Sequence, residues 1–280
     1  MPNFSVSAYL FGVLLGIFPL LVLGQEPKSI PGQLQASGRQ ILQASQYEVR
    51  DSAQQFFREQ LASFVATEEG YAHPLDSVTN MLQVTGPKEK FRLFTWQMPN
   101  ADYVLERFGL LAVKRKDSIR ITVLQDALNE LSDLQFGTYG PEQWPGALYY
   151  RLVPEGQKSS RYTLLGYAPG EKYHRKIVEV LEIREDGTPR FGGKLFRIEK
   201  YQDRLLNRPP MRLLFTYSAD YSATVHWDDK QDKVIMDHLA PPSEKMKGLY
   251  RTYGPDFTYD ALYWEDGWWR LERGVEVTNP

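Results

Sequence analysis

Hydrophobic positions along the chain change rhythm once, near residue 86. From 34 to 66 apolar residues recur at helical spacing: Ile41 and Leu42, then Val49, Ala53, Phe56, Phe57, Leu61, Phe64 and Val65, with no proline among them. Spacings of three and four gather them on one face, which predicts a helix that docks on a neighbour. Gly38 is the expected break into two pieces. Phe56, Phe57 and Phe64 form a stripe that is expected to be core rather than a partner surface. After Gly86 the rhythm shortens to that of strands. They are predicted at 91–97, 109–115, 119–124, 147–153, 162–167, 176–183, 194–198, 212–218, 223–227, 234–239, 261–264 and 268–273. Turn clusters separate them, such as Ala168-Pro169-Gly170 and Glu185-Asp186-Gly187. A short helix is expected at 126–134. Short strands without long helices between them predict an antiparallel meander closing into a sandwich or barrel-like sheet. The fold class is therefore mainly β, α+β overall, with an N-terminal helical segment. The chain divides into 1–24, an export segment; 25–86, a lead-in and helical region; and 87–280, an antiparallel β domain.

Two hairpins can be registered from sequence. An Asp266-Gly267 turn pairs Glu265 with Trp268, Trp264 with Trp269, Tyr263 with Arg270 and Leu262 with Leu271. Alternation then puts Leu262, Trp264, Trp269 and Leu271 on a core face. Tyr263, Trp268 and Arg270 share the other face. They are the candidate ligand-binding residues, with Tyr263 and Arg270 as a cation–π pair and Trp268 either a stacking platform or a ring covered by a loop or helix. A four-residue loop at 229–232 pairs Trp227 with Val234 and Val225 with Met236. His226 then lies diagonal to Asp237, with Thr224 beside them.

Residues 138–150 (TYGPEQWPGALYY) and 252–264 (TYGPDFTYDALYW) echo each other. The similarity fades on both sides, so each is expected to be a turn feeding a strand rather than half of a repeat.

The leading segment MPNFSVSAYLFGVLLGIFPLLVLG has no charged side chain and is apolar from Ala8 to Leu23. Val22 and Gly24 fit a signal-peptidase site before Gln25, and a cleaved signal peptide is expected. The alternative is a retained anchor, though the apolar run is short for a span. No later segment is long and apolar enough to span.

Composition narrows the chemistry. There are no cysteines, which removes thiolate nucleophiles, disulfides and cysteine metal sites. The net charge of −2 lacks the basic footprint of a nucleic-acid binder. The GxSxG, HExxH, P-loop and GxGxxG patterns do not occur. Nothing calls for a cofactor.

The segments WPGALYYRLVP (144–154), YTLLGY (162–167), FGGKLF (191–196), VIMDHLAPP (234–242) and GPDFTYDALYWEDGWW (254–269) resemble an uncharacterised family of exported proteins from Bacteroidota. The resemblance covers about residues 90–277 and includes LFTWQMPNADYVLERFG (93–109), KIVEVLEI (176–183) and FTYSADYSATVHWDD (215–229). It implies export and a β-rich fold, and carries over no activity or site.

Candidate chemistry is sparse. His226 beside Asp237 has the form of a base oriented by a carboxylate, without an identifiable nucleophile. Asp256 and Asp260 are a candidate acid pair for glycoside cleavage, whose geometry depends on their separation; the plainer reading is that Asp256 organises the turn after Pro255. Asp228, Asp229 and Asp232 supply hard oxygens for calcium but lack the glycine and bidentate glutamate of a dedicated loop. A solvated hairpin tip is the plainer reading. The expected function is an exported, envelope-associated, non-catalytic binding or structural component, with an envelope protein or a glycan as partner. The alternative is a secreted glycan hydrolase using carboxylates of the 228–260 region.

Overall fold

A computed structural model describes residues 29–156, 160–201 and 204–276. The expected export segment at 1–24 lies outside the described residues. Three helices come first: α1 (Ile30–Gln43), α2 (Tyr47–Val65) and α3 (Glu68–Ala72). The break between α1 and α2 falls at residues 44–46, not at Gly38. Arg50 holds it, donating to the carbonyls of Ala44 and Ser45 at 2.9 and 3.0 Å. Gly38 lies inside α1, where the Asn80 amide packs in the place of a side chain; a Cβ there would meet Asn80 Oδ1 at 2.1 Å.

The first sheet is β1 (Met81–Thr85), β2 (Phe91–Pro99), β3 (Leu105–Lys114) and β4 (Ile119–Gln125), in that order and antiparallel. β1 falls inside the region expected to be helical. The second sheet uses β5 (Leu148–Leu152), β6 (Arg161–Ala168), β7 (Tyr173–Ile183) and β11 (Leu213–Ser218), ordered β11-β7-β6-β5, with the short β8 (Pro189–Phe191) also on β7. Two short strands, β9 (Lys200–Tyr201) and β10 (Arg204–Leu205), pair with each other. The third sheet is β12 (Val225–Asp228), β13 (Lys233–Ala240), β14 (Gly254–Glu265) and β15 (Trp268–Arg273). The antiparallel, sandwich-like arrangement is as expected. The sheets do not close into a barrel: each ends on its own edge strands.

The layers follow chain order. One face of the first sheet (Phe94, Trp96, Leu110) packs on Phe57, Leu61 and Val65 of α2. Its other face (Phe91, Leu93, Leu111) packs on Tyr162, Leu164 and Ile177 of the second sheet. That sheet's far face (Val178, Val180, Phe215) packs on Val234, Met236, Leu262 and Trp269 of the third. Strands covered on both faces explain the near-continuous apolar runs of β2 and β7. The stripe of phenylalanines splits: Phe57 is wholly buried, Phe64 packs at the core margin, and Phe56 is 42% exposed because it lies off the 57–61–65 row.

Other departures have local causes. Residues 126–134 form turns rather than a helix. Asp126 is drawn into an ion pair with Arg107, and its other oxygen accepts the Leu128 N–H. Residues 194–198 make one parallel bridge, Phe196 to Trp269, instead of a strand. Of the two echoed segments only the first is a turn feeding a strand, through a 3-10 turn at Pro141–Gln143. The second is strand from Gly254 onward, interrupted where the β13–β14 register slips between Asp237 and Leu239. Pro255 is tolerated because β15 does not reach that stretch of β14. Phe257, at φ 70° in the slip, stands 91% exposed.

At the centre, Glu179 on β7 and Arg212 just before β11 form a fully buried ion pair at 2.8 Å, each side chain 0% exposed. Arg212 also donates to the carbonyls of Leu134 and Gly137 and lies over the Tyr139 ring. Glu179 accepts the N–H of Val180 at 2.8 Å. Burial pushes the Glu179 carboxyl up, and Arg212 pulls it back down. Gly192, at φ 95°, passes so close that a Cβ would stand 2.7 Å from Arg212 Nη2. Removing one member of a buried pair strands the other charge. Arg212→Ala is therefore expected to cost about 3–5 kcal/mol in urea unfolding; a loss below about 1 kcal/mol would mean that water reaches Glu179.

Candidate functional site

A large cleft lies where the ends of the first two sheets meet. Three distant segments build it: the β2–β3 turn, the turns after β4, and the β6–β7 loop. Its volume is about 600 Å³, and Tyr103, Val104, Leu128, Pro169, Tyr173 and Arg175 are among its walls. A second space of about 480 Å³ adjoins it and shares Val104, Leu105, Arg107, Leu128 and Asn129.

Arg107 is the structural floor. Its Nε meets Asp126 Oδ2 at 2.8 Å, and its Nη1 donates to the Pro169 carbonyl at 3.4 Å. That pair ties the first sheet to the β6–β7 loop of the second. Gly146 permits it: a Cβ there would sit 2.2 Å from Asp126 Oδ1. Arg175 comes from β7. Its guanidinium lies 4.9 Å from the Tyr173 ring centre and donates to the Tyr173 hydroxyl at 3.1 Å. Among the described residues no carboxylate pairs with it. Burial, foremost, and Arg107 nearby push Arg175 down from its usual value, while Tyr173 pushes it up. Tyr103 stands at the rim, 78% exposed and at φ 60°. Asn100 holds that turn: its Oδ1 accepts the N–H groups of Asp102 and Val104 at 2.9 and 3.0 Å.

The residues singled out from sequence lie elsewhere, on the third sheet. Both hairpin registers are as expected: Trp227 pairs with Val234, Val225 with Met236, Trp264 with Trp269 and Tyr263 with Arg270. His226 stands opposite Ile235 and so diagonal to Asp237, and Thr224 lies beside that carboxylate, as expected: Asp237 Oδ2 accepts both the N–H and the hydroxyl of Thr224, at 2.6 and 3.1 Å. The imidazole–carboxylate pair that does form is His238 with Asp260, at 2.8 Å. Asp256 accepts from the N–H and hydroxyl of Thr258, organising the backbone after Pro255 in line with the plainer reading. Asp228 Oδ1 accepts the N–H groups of Lys230 and Gln231. Asp229 accepts from the Trp227 indole at 2.9 Å, and Asp232 takes φ 51° in the turn. Those carboxylates serve the hairpin tip; no three His, Asp or Glu converge as metal ligands among the described residues. Arg270 meets Glu265 at 2.7 Å, and Trp268 is overlain by Arg197 at 5.0 Å, so a loop covers that ring.

The cleft carried no sequence signature, since Arg107, Asp126 and Arg175 share no motif. No family model, curated protein or solved structure matches this chain.

His238 gives a pH signature. The hydrogen bond to Asp260 raises its pKa, more than burial lowers it. A raised folded value means stability fully present below the unfolded value of 6.5 and lost as pH rises through the folded value. Wild type is thus expected to exceed His238→Gln in urea midpoint by more at about pH 6 than at about pH 8.5. An unchanged difference across that range would show that the pair contributes no proton-linked stability.

Proposed function

We propose that this chain is an exported, envelope-associated binding protein without catalytic activity, and that the cleft floored by Arg107 and Arg175 holds its ligand. The observation that carries the reading is the cleft itself. A space of about 600 Å³ lies in the size range of small-molecule sites, and mixes apolar walls with a few placed polar groups. A rigid scaffold holds it: the Arg107–Asp126 pair, the Pro169 carbonyl and the Asn100-organised turn fix its walls before a ligand arrives. Export is supported by the apolar segment at 1–24 and by the resemblance to exported proteins of Bacteroidota. A glycan or an envelope component is then the ligand class at hand.

The hydrolase reading has less support. Asp228, Asp229, Asp237 and Asp256 each accept hydrogen bonds from neighbouring turn or strand groups. Beside His238 and Asp260 the enclosed space is about 10 Å³, room for one water and no sugar.

Two measurements test the proposal. Cell fractionation is expected to recover the protein outside the cytoplasm. In a thermal-shift screen against a glycan panel, at least one glycan is expected to raise the melting temperature by mass action. Asn129→Trp, which places an indole in the cleft, is expected to abolish that shift and leave the unliganded melt unchanged. A shift that survives Asn129→Trp would place the ligand elsewhere. Glycan turnover that Asp260→Asn abolishes without unfolding the protein would favour the hydrolase.

A further inference from the structure

Resting on the reading of the cleft as a binding site, we propose that its ligand is an acidic saccharide, with a uronic-acid carboxylate seated on Arg175 and a sugar ring against Tyr103. Charge bookkeeping within the cleft motivates the anion. Arg107 is offset by Asp126 at 2.8 Å. Among the described residues Arg175 is not offset, and it donates to a neutral tyrosine hydroxyl. One half-buried positive charge is therefore left facing the space. An uncompensated charge in such a place is costly, and a ligand that neutralises it recovers that cost. A planar guanidinium matches a carboxylate through two parallel N–H donors.

The remaining charges match a single negative charge better than a double one. The exposed Asp102 and Glu171 at the rim are balanced by Lys172 and by Arg251 at the Tyr173 ring. Arg175 alone is then left over, one positive charge for one carboxylate. The rim also explains the ring. The ring of Tyr173 is already taken, with Arg175 on it at 4.9 Å and Arg251 at 5.8 Å. Tyr103 is not so covered, and Asn100 holds its turn in a left-handed conformation that sets the ring out from the sheet. An aromatic ring offers an apolar face to sugar C–H groups and a hydroxyl at its edge. The exposed Asn129 amide, which also lines the cleft, can donate and accept toward sugar hydroxyls.

The test is titration calorimetry on the purified protein with four probes: digalacturonate, the neutral galactose disaccharide, acetate and inorganic phosphate. Digalacturonate is expected to bind at millimolar concentration or below, and the other three more weakly. Arg175→Met is expected to weaken digalacturonate about tenfold or more, with Arg175→Lys between it and wild type because it keeps the charge but not the fork. Tyr103→Ser is expected to weaken it while leaving acetate unchanged. Unliganded melting curves check that each variant is folded. If the neutral disaccharide binds as tightly as digalacturonate and Asn129→Trp blocks it, the acidic ligand is overturned and the cleft survives as a site. If acetate or phosphate binds as tightly as digalacturonate, the sugar is overturned. If none of the four binds, the acidic-saccharide proposal falls; the screen described above then decides whether the cleft binds anything else.

Discussion

A buried charge must find its partners within the protein, and Glu179 with Arg212 imposes that condition on the middle of this one. Glu179 sits on β7, an inner strand of the second sheet, and Arg212 just before the neighbouring β11, with neither side chain exposed. Answering it takes the Leu134 and Gly137 carbonyls from a turn that leaves the first sheet, the Val180 N–H from β7, and the Tyr139 ring. Gly192 must be a glycine for the chain to pass. Segments far apart in sequence are thus held to one point by hydrogen-bond geometry rather than by oily contact alone, which tolerates sliding. The long irregular stretch from 126 to 147 has its place for this reason. One of its ends meets Arg107, and its middle meets Arg212.

The same logic recurs with arginines of β2 and α2. Arg92 donates to the carbonyls of Tyr71 and His73 at 2.7 Å, capping α3 against the first sheet. Arg50 caps the end of α1. Buried or half-buried guanidiniums satisfy carbonyls that helix ends and turns leave over. Arg175, on β7, meets no carbonyl or carboxylate among the described residues, and it lines the open cleft.

Much of this was legible in the sequence where the information is local. The Asp266-Gly267 hairpin could be registered residue by residue, since turn chemistry and period-two alternation fix it. The 225–236 hairpin could be registered too. What failed needed knowledge of distant partners. Asp126–Leu134 has helical content, but Asp126 is taken by Arg107. His226 was placed correctly on its strand, yet the slip after Asp237 turns His238 toward Asp260. The cleft could not be read, because Tyr103, Arg107, Leu128 and Arg175 come from segments that only the stacking of sheets brings together.

That stacking runs in the order of synthesis: helices, first sheet, second sheet, third. As the chain emerges from the ribosome, or from a membrane pore, each layer can form on the one before. Each also shows an unfinished apolar face until the next arrives. The face of Phe91, Leu93 and Leu111 must wait for residues past 160, and that of Val178 and Phe215 for residues past 230. A chain with such a schedule is most prone to stick to its neighbours half-made, when translation or transport pauses between layers.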